Sequence, residues 1–421
     1  MPHSRLQRPD EGRVREWLTS AALVGFFVFS WMSVGITRYN GLDSPLFLGT
    51  SALCLWRLAG GPLSVAAPLL RAYLLWAGWV VFSDFYSAKF FWAFARDSHW
   101  LLLPLLARLC AGALRDAPSA IPLMRVAAAV SVLYIALRLA VAAPGSFTDL
   151  REPVFGHIRY LSMAVGVLVV WLYDDAQLGK WARLVVSAGR FAGLVILFWA
   201  GGRGAVLALA LAFAAHTLLL APDRKHSIFH LLEFLVAALV SAFLVTDNPS
   251  MGLANSVSRT VAPTAADGIF YGRITIWSDT LKRLSEGFGL WFGWGGNGFI
   301  RMGLAHGFIF HPHNALLQFL TDWGIIGFAL FANFLRVALQ ALKGAALRTS
   351  NGALAMSILA FLLVMGMLDG GLYHPQFLVC AGLALGMLAV PAAKEDSGQV
   401  ALGLYPAVAI LAMTVVHLAM L

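Results

Sequence analysis

Charged side chains are scarce in this chain. Asp, Glu, Lys and Arg make up 12% of its 421 residues, where a soluble domain carries about a quarter. That scarcity excludes an ordinary soluble enzyme. Cysteine is scarcer still: Cys54, Cys110 and Cys380 each sit in an apolar run, and none belongs to a CxxC pair. They read as small core residues, not as a disulfide framework or a metal knuckle. A cleavable leader is not expected either. The apolar stretch after Arg5, Arg8, Arg13 and Arg15 runs from about Trp17 to Ile36, is too long for a signal core, and has no small-residue cleavage site after it. There is no soluble-type internal repeat.

Apolar residues fill the space these absences leave, at 60% of the chain. Runs long enough to span a bilayer recur at roughly 17–36, 45–59, 70–86, 98–114, 121–142, 157–173, 183–200, 204–221, 228–246, 315–335, 352–369, 374–392 and 401–420. Some are short, so the expectation is an all-α polytopic membrane protein with about 12 transmembrane helices. Breaks fall at Gly60-Gly-Pro62, Pro144-Gly145, Gly201-Gly202 and Gly370-Gly371, where glycine and proline interrupt helical runs. Basic residues in the short loops set the orientation. The tail, Arg57 with Arg71, Arg108 with Arg115, Lys180 with Arg183, Arg224 with Lys225, and Arg336 with Lys343 and Arg348 fall on one side, taken as the cytoplasm. Arg38, Lys89 and Arg96 vote the other way. Much of the net charge of +9 is therefore topological and does not call for nucleic acid.

The expected organisation is a cytoplasmic tail over 1–16, a first set of nine spans over 17–246, an outer loop over 247–314 and C-terminal spans over 315–421. Within the loop, residues 273–288 show a helical pattern. Trp277, Leu281, Leu284 and Phe288 recur at three- and four-residue steps, with Asp279, Lys282, Arg283 and Glu286 opposite. This is an amphipathic helix at the membrane surface. The run Gly293-Trp-Gly-Gly-Asn-Gly298 matches G-x-G-x-x-G but lacks the strand and βαβ unit of a dinucleotide site. It reads as a tight turn returning the helix to the bundle, with a phosphate-binding nest of amides as the alternative. His306, His311 and His313 have no Cys or carboxylate among them, which argues against a metal. An outer-side imidazole suits a general base, although a hydrogen-bonded loop histidine is commoner. Asn314 is a natural cap for a helix beginning at Ala315. Arg203 and Arg273 both face the outer side, where arginine forks clamp phosphate or merely contact headgroups. Arg259, Arg283 and Arg301 read as solvated or headgroup-facing. Arg190, near the middle of its span, is an anomaly.

Gly202-Arg203-Gly204-Ala205, Gly272-Arg273-Ile-Thr-Ile-Trp277, Phe292-Gly-Trp-Gly295, His313-Asn314-Ala-Leu-Leu-Gln318 and Asp322-Trp-Gly324-Ile-Ile-Gly327 follow one another in an order that resembles the O-antigen ligase / O-antigen polymerase superfamily. The likeness covers about 185–335. It implies transfer of a glycan from undecaprenyl diphosphate at the periplasmic face of the bacterial inner membrane, with no nucleotide, cofactor or essential metal. By this resemblance His313 is the base, Arg203 and Arg273 hold the diphosphate, and Trp277, His311 and Asn314 support them. Gly202 stands where serine is usual. The ligase branch, with lipid A–core as acceptor and inversion at the anomeric carbon, fits best. A polymerase, a protein O-oligosaccharyltransferase or a lipid or solute transporter are the alternatives. A transporter would place its ionisable groups near the midplane.

Overall fold

The computed structural model describes residues 11–32, 44–59, 63–87, 89–142, 153–173, 178–220, 224–244, 251–261, 271–304, 311–341, 347, 349–370, 372, 374–390, 399–403 and part of 407–413. His306, the Gly60-Gly-Pro62 and Pro144-Gly145 breaks, and most of the last apolar run lie outside them. Among the described residues the chain opens with helices α1 (Glu11–Met32), α2 (Ser44–Ala59), α3 (Ala67–Tyr86), α4 (Phe90–Asp116), α5 (Ala120–Ala140), α6 (Ile158–Trp171), α7 (Lys180–Trp199), α8 (Arg203–Leu220) and α9 (Arg224–Phe243). Shorter helices follow: α10 (Leu253–Val261), α11 (Tyr271–Ser285), α12 (Gly289–Phe292) and α13 (Gly298–Arg301). The bundle resumes with α14 (Ala315–Ala341), α15 (Ser350–Asp369) and α16 (Pro375–Ala389). The interior is built by α15 along α8, α16 along α4, α5 along α7 and α14 along α3.

Four of the described helices are long and apolar enough to cross a membrane, and four more are apolar but shorter. Helix α9 is apolar outside and polar inside. It exposes Leu231, Leu235, Leu239 and Phe243 while burying His230 and Ser241. That inversion suits a hydrocarbon solvent, in which a helix satisfies its own backbone and turns polar side chains inward. The chain is an all-α membrane protein.

At one end of the bundle Arg57, Arg115 and Arg15 approach the Asp116 carboxylate at 3.6, 3.5 and 3.8 Å. Three basic residues assigned to one side by the loop-charge argument thus meet at one acid. Arg190 is not an isolated midplane charge. Its Nε lies 2.8 Å from Glu233 Oε2 and its Nη1 donates to Leu172 O at 2.7 Å. These groups border a cavity of about 120 Å³ with Tyr173, His230 and Phe234.

Two elements differ from expectation. Helix α4 starts at Phe90, not at 98, because Phe90 stacks on Phe94 and the buried Asp97 accepts a hydrogen bond from Trp323 Nε1 at 2.8 Å. The polar residues that depress local hydropathy therefore sit comfortably inside a helix. A short antiparallel pair, β1 (Ser64–Ala66) with β2 (Gln399–Ala401), takes the start of the last apolar run, with Val65 opposite Val400.

Helix α14 is broken at Gly324, whose φ of 66° and ψ of −175° are not helical. The break frees carbonyls that the low-dielectric interior cannot leave unpaired. Thr321 O accepts from Trp294 N at 2.8 Å, and Asp322 O from Gly295 N at 2.8 Å and Ser83 Oγ at 2.7 Å. Trp323 O accepts from Trp79 Nε1 at 2.9 Å. The glycine run is thereby drawn against α14. A Cβ on Gly293 (φ 75°) would overlap Asp322 O, so no side chain fits there.

Removing Glu233 alone leaves Arg190 buried without its counter-charge, at a cost of about 3–5 kcal/mol. Thermal unfolding in detergent should show Glu233→Leu strongly destabilised. Arg190→Met combined with Glu233→Leu should recover most of the loss.

Candidate active site

The C-terminal end of α7 turns sharply through Gly201 (φ 67°) into α8, which begins at Arg203. Its last carbonyls are covered by α10: Gly252 N donates to Trp199 O at 2.6 Å and Ser256 Oγ to Gly201 O at 3.3 Å. Gly202 is forced by sterics. A Cβ there would overlap Ser162 Oγ on α6, a hydroxyl that donates to Ile158 O at 2.9 Å. The space that a side chain at 202 would need is thus taken by a serine on the facing helix.

Helix α11 is present as expected, but its buried stripe differs. Thr280 and Leu284 are buried with Arg273, Ile276 and Trp277 partly so, whereas Leu281 and Phe288 are exposed. The stripe is polar at its N-terminal end because that end faces charge. Arg273 Nη2 lies 3.4 Å from Asp369 Oδ1. One turn on, Trp277 Nε1 donates to Pro312 O at 2.8 Å, which ties α11 to the segment carrying the histidines.

His313 has a left-handed backbone, φ 52°, rare for a residue with a Cβ and typical of functional positions. Its N–H donates to His311 Nδ1 at 3.2 Å, and the two rings stand edge to face at 4.3 Å. His311 in turn packs on Gly370 (φ 65°), where a Cβ would overlap its Cε1. Asn314 caps α14 through Oδ1, which accepts from Leu317 N at 3.1 Å, and reaches α15 through Nδ2 to Met367 O at 3.4 Å. The capping reading therefore holds, and the same side chain joins two helices.

These pieces converge on Asp369, the last residue of α15. Its Oδ1 lies 3.4 Å from Arg273 Nη2, 3.5 Å from Arg159 Nη1 and 3.7 Å from His313 Nδ1. Arg203 is near enough for its charge to repel that of Arg273. Arg273, Trp277, His311 and Asn314, all identified from the sequence, are thus gathered about His313 and its flanking backbone, while Arg203 is linked to the group only through its charge on Arg273. Asp369 and Arg159 are additions. Their signals were an acid closing an apolar span just before a glycine pair and an arginine at a span mouth. Arg301 also departs from expectation: its guanidinium donates to Trp294 O and Gly296 O and closes the glycine turn. The turn itself is no open phosphate nest. Gly296 N and Gly298 N donate to Asp84 and Asp322 at 2.8 Å each.

Electrostatics follow from this geometry. Burial, then the charges of Arg159 and Arg273, hold the His313 imidazole below its ordinary value, opposed by Asp369. Burial holds His311 well below it, reinforced by His313. Burial lowers Arg273, with Asp369 opposing and Arg159 and Arg203 adding repulsion. The site offers a neutral imidazole beside several guanidiniums, an arrangement able to take a proton from a hydroxyl and hold an anion.

Residues 188–332 match the O-antigen ligase family. No curated protein matches the chain.

Because Asp369 raises the His313 value and its other surroundings lower it, Asp369→Asn should shift the titration of His313 further down. Histidine-selective NMR of the full-length protein from neutral to acid pH reads this directly. An upward shift would mean that Asp369 does not face the imidazole.

Proposed function

We propose that this chain, a member of the O-antigen ligase family through residues 188–332, transfers a glycan from undecaprenyl diphosphate to the outer sugar of lipid A–core. The reading places the reaction at the periplasmic face of the inner membrane, in a cleft between the 247–314 loop and the bundle. The observation that carries it is the convergence of Arg159, Arg273 and His313 on Asp369, beside the Arg203 turn. Guanidiniums gathered at one end of an apolar bundle call for an anion, and a diphosphate on a lipid meets both demands.

In this mechanism the neutral His313 imidazole takes the proton of an acceptor sugar hydroxyl. The hydroxyl oxygen attacks the anomeric carbon as the bond from that carbon to the diphosphate oxygen breaks. The electron pair leaves on undecaprenyl diphosphate, whose charge Arg203, Arg273 and Arg159 hold. Such donors are worth about 3–4 kcal/mol each when well placed, and a base contributes roughly 10²–10⁴-fold. Asp369 stabilises the imidazolium that forms. At 3.7 Å the contact exceeds hydrogen-bond length, as catalytic pairs often do before substrate tightens them. A single displacement inverts the anomeric configuration. Trp277 and Asn314 hold the backbone on either side of His313, and His311 packs against its ring.

Purified protein given undecaprenyl-diphosphate glycan and lipid A–core, without nucleotide, should yield inverted product on the core, with or without chelator. Product only on a second lipid-linked repeat would identify a polymerase instead. His313→Ala should end transfer while donor binding survives; unchanged turnover would remove the base. Arg203→Lys and Arg273→Lys keep charge but lose the fork, and each should slow transfer on the order of 10²-fold. Since His313 must be neutral, the acid limb of the rate profile should fall below about 6.5, the ordinary imidazole value.

A further inference from the structure

Away from this site, three carboxyl groups gather around the glycine turn. Asp84 is in the last turn of α3, Asp97 in α4 and Asp322 in α14, and all are buried. Their assigned partners are few. Asp84 Oδ1 accepts from Gly296 N at 2.8 Å. Asp97 Oδ2 accepts from Trp323 Nε1 at 2.8 Å. Asp322 is covered by Gly298 N and by Gln318 Nε2, which reaches its two oxygens at 2.8 and 2.6 Å. The remaining oxygens, Asp84 Oδ2 and Asp97 Oδ1, are fully buried, with no donor to either among the described residues. Yet both carboxyls press on the same glycine: Gly296 N meets Asp84 Oδ1 at 2.8 Å, and a Cβ on Gly296 would lie 3.1 Å from Asp97 Cγ.

Two ionised carboxylates cannot hydrogen-bond each other, and facing one another out of water they repel strongly. Nearby cations relieve this only in part. Arg301 donates through Nη1 and Nη2 to Trp294 O and Gly296 O, and no described donor reaches Asp84 Oδ2 or Asp97 Oδ1. Asp322 adds a further negative charge to both. One proton between Asp84 Oδ2 and Asp97 Oδ1 turns the repulsion into a short charge-assisted bond.

We propose that Asp84 and Asp97 share one proton, and that this proton latches the Gly293–Gly298 turn to the outer ends of α3 and α4. Loss of the proton drives the two side chains apart and withdraws Asp84 from Gly296 N. The latched form binds one proton more than the open form, so the latch weakens as pH rises. The inference is independent of the catalytic assignment.

Two measurements on the full-length protein in nanodiscs test it. Infrared difference spectra between the parent and Asp97→Asn at neutral pH should contain the C=O band of a protonated carboxyl that the variant has lost. Hydrogen exchange over the 293–304 segment, corrected for intrinsic rates, should show protection falling about tenfold per pH unit on the alkaline side in the parent. The carboxamide introduced by Asp97→Asn donates to Asp84 at any pH while its oxygen still accepts from Trp323, so the variant should hold its protection. Asp84→Asn makes the mirror-image pair and serves where Asp97→Asn fails to fold. No lost carboxyl band, or equal alkaline loss in parent and variants, overturns the proposal. So does protection that follows added Na⁺ or Ca²⁺ at fixed pH, which would assign the bridge to a cation.

Discussion

A broken helix in a bilayer must find donors for its freed carbonyls, and in this protein that demand organises one end of the bundle. The backbone of α14 leaves helical geometry at Gly324, and hydrocarbon offers no water to repair it. The donors come from two separate parts of the chain. Trp79 and Ser83 on α3 reach Trp323 O and Asp322 O, and the amides of Trp294 and Gly295 reach Thr321 O and Asp322 O. The second set anchors the segment that follows α11. With α11 anchored, Trp277 can hold Pro312, and His313 takes up its left-handed conformation one residue later. The position of the imidazole is thus the far end of a chain of backbone pairings that begins at a kink.

The charges around His313 run against the helices that carry them. Arg159 and Arg203 stand in the first turns of α6 and α8, at the positive ends of those dipoles. Asp369 ends α15, at the negative end. Each such placement is unfavourable by about 0.3–1 kcal/mol. The Asp369 contacts offset part of that cost. The placement of these charges is therefore set by their contacts with one another and not by the helices that carry them.

Much of this was legible in the residues. The helix order followed from apolar runs because a spanning helix has few alternatives in lipid. His313 and Arg203 stood out as polar groups beside such runs and Arg273 as part of an amphipathic loop helix, and the family resemblance grouped the three. Three features were not legible, for physical reasons. Asp369 looked like the polar end of a span, because its partners lie on α6, α11 and the loop, far away in sequence. Arg301 looked solvated, since nothing local reveals that the carbonyls of Trp294 and Gly296 turn toward it. Leu281 fitted a helical stripe, but α11 buries Thr280 beside Trp277 and Leu284 instead, and Phe288 lies beyond the helix end at Ser285. Periodicity identifies the helix and not its rotation.

The contact between Gly202 and Ser162 makes two distant positions one steric unit. The turn between α7 and α8 and the facing side of α6 share a single volume, since even a Cβ at 202 would overlap Ser162 Oγ. Serine at 202 and serine at 162 therefore exclude each other, and a side chain can enter the turn of this chain only once position 162 has shrunk.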